Sequence, residues 1–275
     1  ARPVYLVYKN SGFAITDPAA IATDKRPLFP GQTASFDNYS SYDRGINGII
    51  VDVEGLHTGI VAGDLTLAVG NDKSNWSAAP LPLSLTAVAG DTTNTWTRVT
   101  ITWADHAIQD QWVQVTLKAG AHSGLASDLL FYFGNAPGES GNSAADAQVN
   151  ATDQLAARSA ATAGAAINNA FDYNRDGVVD SADEAIAAQG YTWFENELHL
   201  FTAATGATTI SGSLIAVPET LGGAAQLGPA VPTGIVLTGV KPTDYRDWAV
   251  HSSKPLAGSL VKIAGIRQAP RMRVK

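Results

Sequence analysis

Residues 172–183 read Asp172-Tyr173-Asn174-Arg175-Asp176-Gly177-Val178-Val179-Asp180-Ser181-Ala182-Asp183. Oxygen-bearing side chains stand at loop positions 1, 3, 5, 9 and 12, and glycine stands at position 6, where such a loop turns sharply. Acids crowded this closely repel one another unless a cation gathers them. Ca2+ is a hard ion that takes six to eight oxygens in a flexible cage. The spacing predicts one, held by Asp172, Asn174, Asp176, the backbone carbonyl of Val178, Asp180 and Asp183. The plainer alternative is an Asp/Asn-rich turn with no ion.

A weaker copy lies thirty positions upstream, where Asn150-Ala-Thr-Asp153 aligns with Asp180-Ser-Ala-Asp183. Counting back from Asp153 as position 12 puts Asn142, Asp146, Gln148 and Asn150 at positions 1, 5, 7 and 9. Ala144 and Ala147 occupy positions 3 and 6, so an oxygen and the glycine are missing, although Glu139 or Ser140 stands near enough in sequence to lend an oxygen. Val149 and Val179 both fall at position 8, where paired calcium loops exchange backbone hydrogen bonds. An internal repeat is stronger evidence than either loop alone.

The pattern departs from an EF-hand at position 12, where Asp183 replaces the usual bidentate glutamate. Two such loops, aspartate at position 12 and a short helix after each make residues 138–192 resemble the type I dockerin family. The resemblance implies a small helical module folded around calcium, extracellular life and docking onto a partner module, a cohesin. Family positions 10 and 11, which help choose that partner, are Ala151 and Thr152 in the first loop and Ser181 and Ala182 in the second. These are small and bland for partner selection. The stretch Phe131–Asn142 also looks like the lead-in to dockerin-like repeats at the ends of large secreted bacterial proteins.

Composition narrows the class. Of 275 residues 45% are apolar and only 16% charged, with Gly abundant, which suits a secreted β-rich chain long enough for a sizeable core. A net charge of −7 argues against a nucleic-acid partner, since phosphate binding needs a basic face. With no cysteine there is neither a disulfide framework nor a thiolate site, leaving calcium as the available staple. No apolar run approaches the ~18 residues of a membrane span. The chain opens at Ala1 and is read as a mature or excised product.

Residues 1–137 read as all-β. Runs at Val4–Tyr8, Ile49–Val53, Leu65–Val69, Leu83–Val88, Arg98–Trp103, Trp112–Leu117 and Leu129–Phe133 are β-branched or alternating and separated by turn residues. They predict a β-sandwich of jelly-roll or immunoglobulin-like type. Residues 10–46 form a long irregular excursion, a candidate binding edge. In the helical module of 138–192, Leu155, Ala163 and Ile167 are expected to share one face after the first loop. Ala185, Ile186 and Ala188 are expected to pack inward after the second, with Gly190 ending that helix. Residues 193–275 read as a β-rich C-terminal segment, with runs at Leu198–Phe201, Thr208–Val217, Gly234–Val240 and Ser259–Ile263. This segment is expected to form a second small β domain, with pairing to a neighbouring chain by strand addition as the rival and pairing with the first sandwich as a third arrangement. Its end is basic, with Lys262, Arg267, Arg271, Arg273 and Lys275 and no acid among them.

No catalytic signature is found. The histidines, His57, His106, His122, His199 and His251, lack zinc spacing, and there is neither a nucleophile elbow nor a phosphate loop. Asp105 and His106 are adjacent on a strand-like run and would face opposite sides. Asp52, Glu54 and Asp64 are the closest acids outside the loops. Trp76, flanked by Asn75 and Ser77, reads as an exposed turn residue able to stack on a sugar. The expectation is a non-catalytic extracellular protein braced by calcium, serving cell-surface attachment or assembly through a protein partner or itself. A carbohydrate-binding module is the alternative, and a polysaccharide-active enzyme ranks third.

Overall fold

Each of the seven β-like runs of the first 137 residues forms a strand. In a computed structural model, which describes residues 3–205 except 16, 18, 73 and 91–94, the strands are β1 (Val4–Leu6), β2 (Tyr39–Ser40), β3 (Gly48–Glu54), β4 (Leu65–Gly70), β5 (Trp76–Ala78), β6 (Ser84–Ala89), β7 (Trp96–Thr102), β8 (Gln111–Leu117) and β9 (Leu129–Asn135). Two helices follow, α1 (Ala151–Ser159) and α2 (Ser181–Gln189). The chain is thus mainly β. One sheet has the order β1-β3-β7-β6 and the other β2-β9-β8-β4-β5. All pairings are antiparallel except β2 with β9, where Tyr39 stands opposite Gly134.

Alternation decides which face each residue takes. In the first sheet Val51 opposes Val99 and Ile49 opposes Ile101, and all four are buried. They meet Val113, Val115 and Leu117 of β8 and Phe131 and Phe133 of β9 in one shared core. Each fully buried side chain of this size contributes roughly 1.5–3 kcal/mol, so this layer outweighs the other apolar clusters among the described residues.

The other face of the five-stranded sheet is buried too. Trp112 and Tyr132 point away from the central core and are covered by Leu28, Ala34, Leu198 and Phe201. This second cover explains why Trp112 and Gln114 of β8 are buried as fully as Val113 and Val115 on its other face. The expected strand at Leu198–Phe201 is replaced by isolated bridges, Ala147 with Leu198 and Thr33 with Thr202. The segment is tied down by short backbone contacts to residues 31–34, the Ala34 N–H donating to the Phe201 carbonyl and the Ala203 N–H to the Gln32 carbonyl, both at 2.9 Å, and by the Trp112 indole donating to the His199 carbonyl at 2.9 Å. The C-terminal runs at 208–217, 234–240 and 259–263, Trp248, His251 and the basic tail lie outside the described residues.

Strands β2 and β5 escape the sequence pattern because they are only two and three residues long. The turn signal before β5 is real: Asp72 accepts from the backbone N–H groups of Ser74 and Asn75. Trp76, however, opens the strand opposite Gly70 instead of belonging to the turn. It is half-buried, 5.4 Å from the Tyr132 ring and 6.2 Å from that of Phe201. The expected exposed platform is therefore part of an aromatic cluster.

Among the described residues no helix is long and apolar enough to cross a membrane.

Candidate metal centre

Both helices begin where a loop ends, and both are capped identically. Asn150 accepts from the Thr152 N–H and Asp180 from the Ala182 N–H, while Asp153 and Asp183 complete each capping box. Ala157 and Ala187 are the fully buried apolar residues of the two helices. The expected faces are corrected accordingly. Leu155 is exposed, helix α1 ends before Ala163 and Ile167, and Ala187 rather than Ala188 turns inward. The small stagger of a nine-residue, alanine-rich helix gives no strong apolar stripe from which to read the face. Gly190 does cap α2, its N–H donating to the Ile186 carbonyl at 2.9 Å.

Val149 and Val179 do not pair with each other. Val179 exchanges both backbone bonds with Thr162, at 3.0 and 2.8 Å, and the Val149 carbonyl accepts from the Thr192 N–H at 2.9 Å. The thirty-residue offset carries one pairing onto the other, so each loop is held by the segment that follows the opposite helix. Gln154 and Glu184, also thirty apart, meet through a 2.9 Å hydrogen bond. The repeat seen in sequence is thus a two-fold related pair in space.

The second loop is drawn tightly around its first and last acids. Asp172 and Asp183 have no solvent exposure. Asp172 accepts from the N–H groups of Asp176 and Gly177 at 3.1 and 3.0 Å. Asp183 accepts from those of Tyr173, Asn174 and Asp180 at 2.6, 3.3 and 3.0 Å. Asp176, Asn174 and Asp180 lie nearer the surface, each forming a short turn with an amide two residues on. Gly177 takes φ 91°, which its place in the turn demands, and Arg175 takes φ 55°.

A hard cation fits this donor set on two observations. Burial pushes the Asp172 carboxyl up to about 6, with Asp183 adding to the rise, and burial also raises Asp183. Two acids are therefore held where negative charge is costly without a counter-ion. Second, the carbonyls of Gly177 and Val179 are taken by the N–H groups of Ala165 and Thr162, whereas that of Val178 accepts no hydrogen bond from the described residues. This is the loop's one backbone ligand position. Among the described residues no three of His, Cys, Asp and Glu form a ready-made metal cluster. The cage here would depend on Asn174 and the Val178 carbonyl as well as on acids.

The first loop satisfies itself instead. Asp153 is buried and accepts from the Ser140 N–H, the Ser140 hydroxyl, the Asn142 amide and the Asn150 N–H. The Gln148 carbonyl is taken by the Asn150 side chain at 3.2 Å. Asp146 accepts from Ser143 and from the Gln148 N–H. Glu139 is buried beside this loop, and burial pushes its carboxyl up to about 7. One of its oxygens takes the Tyr39 hydroxyl at 2.6 Å and the Gly141 N–H at 2.8 Å, and the other has no hydrogen-bond partner among the described residues.

Sequence reasoning gave Arg175 no role, since loop position 4 supplies no ligand. It is wholly buried and leaves the loop for the β layers. Its guanidinium lies over the Tyr8 ring, 4.7 Å from the centroid, and donates to the Ser41 hydroxyl and the Asn169 carbonyl. The Gly12 N–H donates to the Arg175 carbonyl, and the Asp43 N–H to that of Tyr173. A side chain at Gly12 would strike the Asp176 carbonyl oxygen at 2.9 Å. The long excursion of residues 10–46 therefore seats the loop.

No protein-family model, curated protein or solved structure matches the chain.

Elsewhere the chemistry-bearing side chains are dispersed. Asp105 is taken up by Asn10, Arg44 and Asn47, leaving no dyad with His106. Asp52 pairs with Arg98, and Asp64 with His122.

Proposed function

We propose that this is a non-catalytic extracellular protein whose second acidic loop, holding one calcium ion, clamps a dockerin-like module onto a β-sandwich of jelly-roll or immunoglobulin-like type. The observation that carries the reading is that the Val178 carbonyl accepts no hydrogen bond from the described residues in a loop that also holds two buried carboxylates. Asp172, Asn174, Asp176, the Val178 carbonyl, Asp180 and Asp183 would hold the ion, which supplies the positive charge these groups lack. With its carboxylates neutralised, the loop keeps the turn that aims Arg175 at Tyr8 and Ser41. Loop closure and docking are thereby one event, and millimolar extracellular calcium keeps the flanking parts in fixed register.

Assembly or cell-surface attachment is the purpose that suits such a rigid connection. Leu155, Tyr191, Trp193 and Phe194 of the module region are exposed at 52, 39, 59 and 76%, and Tyr191 bonds to Gln154, next to Leu155. Apolar side chains left in water like this favour a protein partner or a second copy of the chain.

The test is thermal unfolding of the whole chain with millimolar calcium and with excess chelator. A ligand a thousandfold above its Kd adds about 4 kcal/mol, so chelation should lower the melting temperature by several degrees. An unchanged melt removes the calcium reading.

A further inference from the structure

The two sheets differ in how their outer faces are treated. The five-stranded sheet is covered, whereas among the described residues the cover on the four-stranded sheet gathers near Ile50, under Val7 and Ala20. Beside that cover the same face carries a groove of about 580 Å3 that runs from Tyr5 of β1 and Thr100 of β7, the neighbours of Ile50, past Asp52 of β3 and Arg98 of β7 to Val88 of β6 and Trp96 of β7. The groove therefore crosses all four strands.

Its floor is a fixed polar pair. Asp52 is only 7% exposed and accepts from Arg98 Nε at 2.7 Å and Nη2 at 2.6 Å. This two-point contact fixes the guanidinium plane and leaves Nη1 without a partner among the described residues. Asp52 and Arg98 cancel each other's charge. What remains is a neutral patch with a spare N–H donor, carboxylate lone pairs and the Thr100 hydroxyl, set between two aromatic residues, Tyr5 and Trp96.

We propose that this groove binds a neutral polysaccharide. A sugar ring has apolar C–H faces that stack on aromatic rings, and hydroxyl rims that need donors and acceptors side by side. The groove supplies both in one strip, in a volume within the ordinary ~300–1,000 Å3 range of ligand sites. Phosphorylated or strongly acidic ligands gain little from it, because the Arg98 charge is already paired. An extended peptide, which adds to a sheet edge through backbone bonds, finds here a sheet face instead. The inference does not rest on calcium and places the sugar site away from Trp76.

Native gel electrophoresis of the full chain tests it, with soluble xylan, mixed-linkage glucan or galactomannan cast into the gel and polygalacturonate as the charged control. At least one neutral polymer should retard the chain. Tyr5→Ala should weaken that affinity roughly tenfold, and Thr100→Trp, which fills the groove while leaving Asp52 and Arg98 in place, should abolish it with an unaltered melting temperature. Thr100→Trp decides the matter if Tyr5→Ala unfolds. No retardation by any neutral polymer, retardation by polygalacturonate alone, binding of a polyproline peptide with the neutral gels inert, or undiminished retardation of Thr100→Trp overturns the proposal.

Discussion

The Arg175 guanidinium donates a 3.0 Å hydrogen bond to the Ser41 hydroxyl at a place where neither residue is reached by solvent. One belongs to the acidic loop and the other to the excursion that feeds β-strand pairing. A buried guanidinium that makes no ion-pair contact with a carboxylate of the described residues is expensive to desolvate. The aromatic face of Tyr8 and the Ser41 and Asn169 acceptors offset that cost only while the loop keeps its turn.

Replacing Arg175 by Met tests the coupling. The variant keeps much of the side-chain bulk but leaves buried acceptors unpaired, at a cost of roughly 2–4 kcal/mol. Urea midpoints read by helical circular dichroism and by tryptophan fluorescence should fall together. A split transition with the tryptophan midpoint unmoved contradicts a clamp between loop and sheets.

The loops are predicted to differ in metal affinity. Asp176→Ala removes an oxygen from the loop whose backbone ligand is free, and calorimetric titration should show calcium affinity falling roughly a hundredfold or more. Asp146→Ala alters a loop whose Gln148 carbonyl and Asp153 carboxylate are already occupied by protein donors, and the strong binding event should persist. Equal losses in the two variants would mean that both loops hold an ion.

Lys25 gives a pH signature away from the loops. Its ammonium is buried against the Phe36 ring, donates to the Phe36 carbonyl and is 3.2 Å from Asp24, and burial lowers its pKa to about 8. The unfolded chain keeps the proton up to the ordinary value of 10.5. Between those values the unfolded state binds more protons, so this group adds stability as pH rises from 8 towards 10.5, by about 3 kcal/mol at most. Below pH 8 both states are charged and the contribution is constant. Relative to Lys25→Met, the wild-type urea midpoint should climb between pH 8 and 10, and parallel curves would contradict it.

Local rules carry the strands far. Val99 and Ile101 alternate with Arg98, Thr100 and Thr102, and a period of two is enough to place them on a face. At β8 the alternation of Val113, Val115 and Leu117 with Gln114 and Thr116 marks one buried face, but nothing local marks the other, which distant residues such as Leu28 and Leu198 cover. Trp76 was misplaced for a related reason, because the burial of its ring depends on Phe201, 125 positions away. The helix faces were misread because alanine-rich turns carry little apolar contrast.

By itself the sequence determined the loop ligand spacing, the thirty-residue repeat and the seven principal strands, since each depends on residues within one loop, one strand or one exact period. Tertiary structure alone decided that Val179 pairs with Thr162, that Arg175 crosses into the β layers, that no described residue donates to the Val178 carbonyl while Gln148's is taken, and that Asp52 and Arg98 meet. Those relations join residues up to 167 positions apart, as Tyr8 and Arg175 are. Chain periodicity cannot encode them, because they arise only when packing brings separate segments to hydrogen-bonding distance.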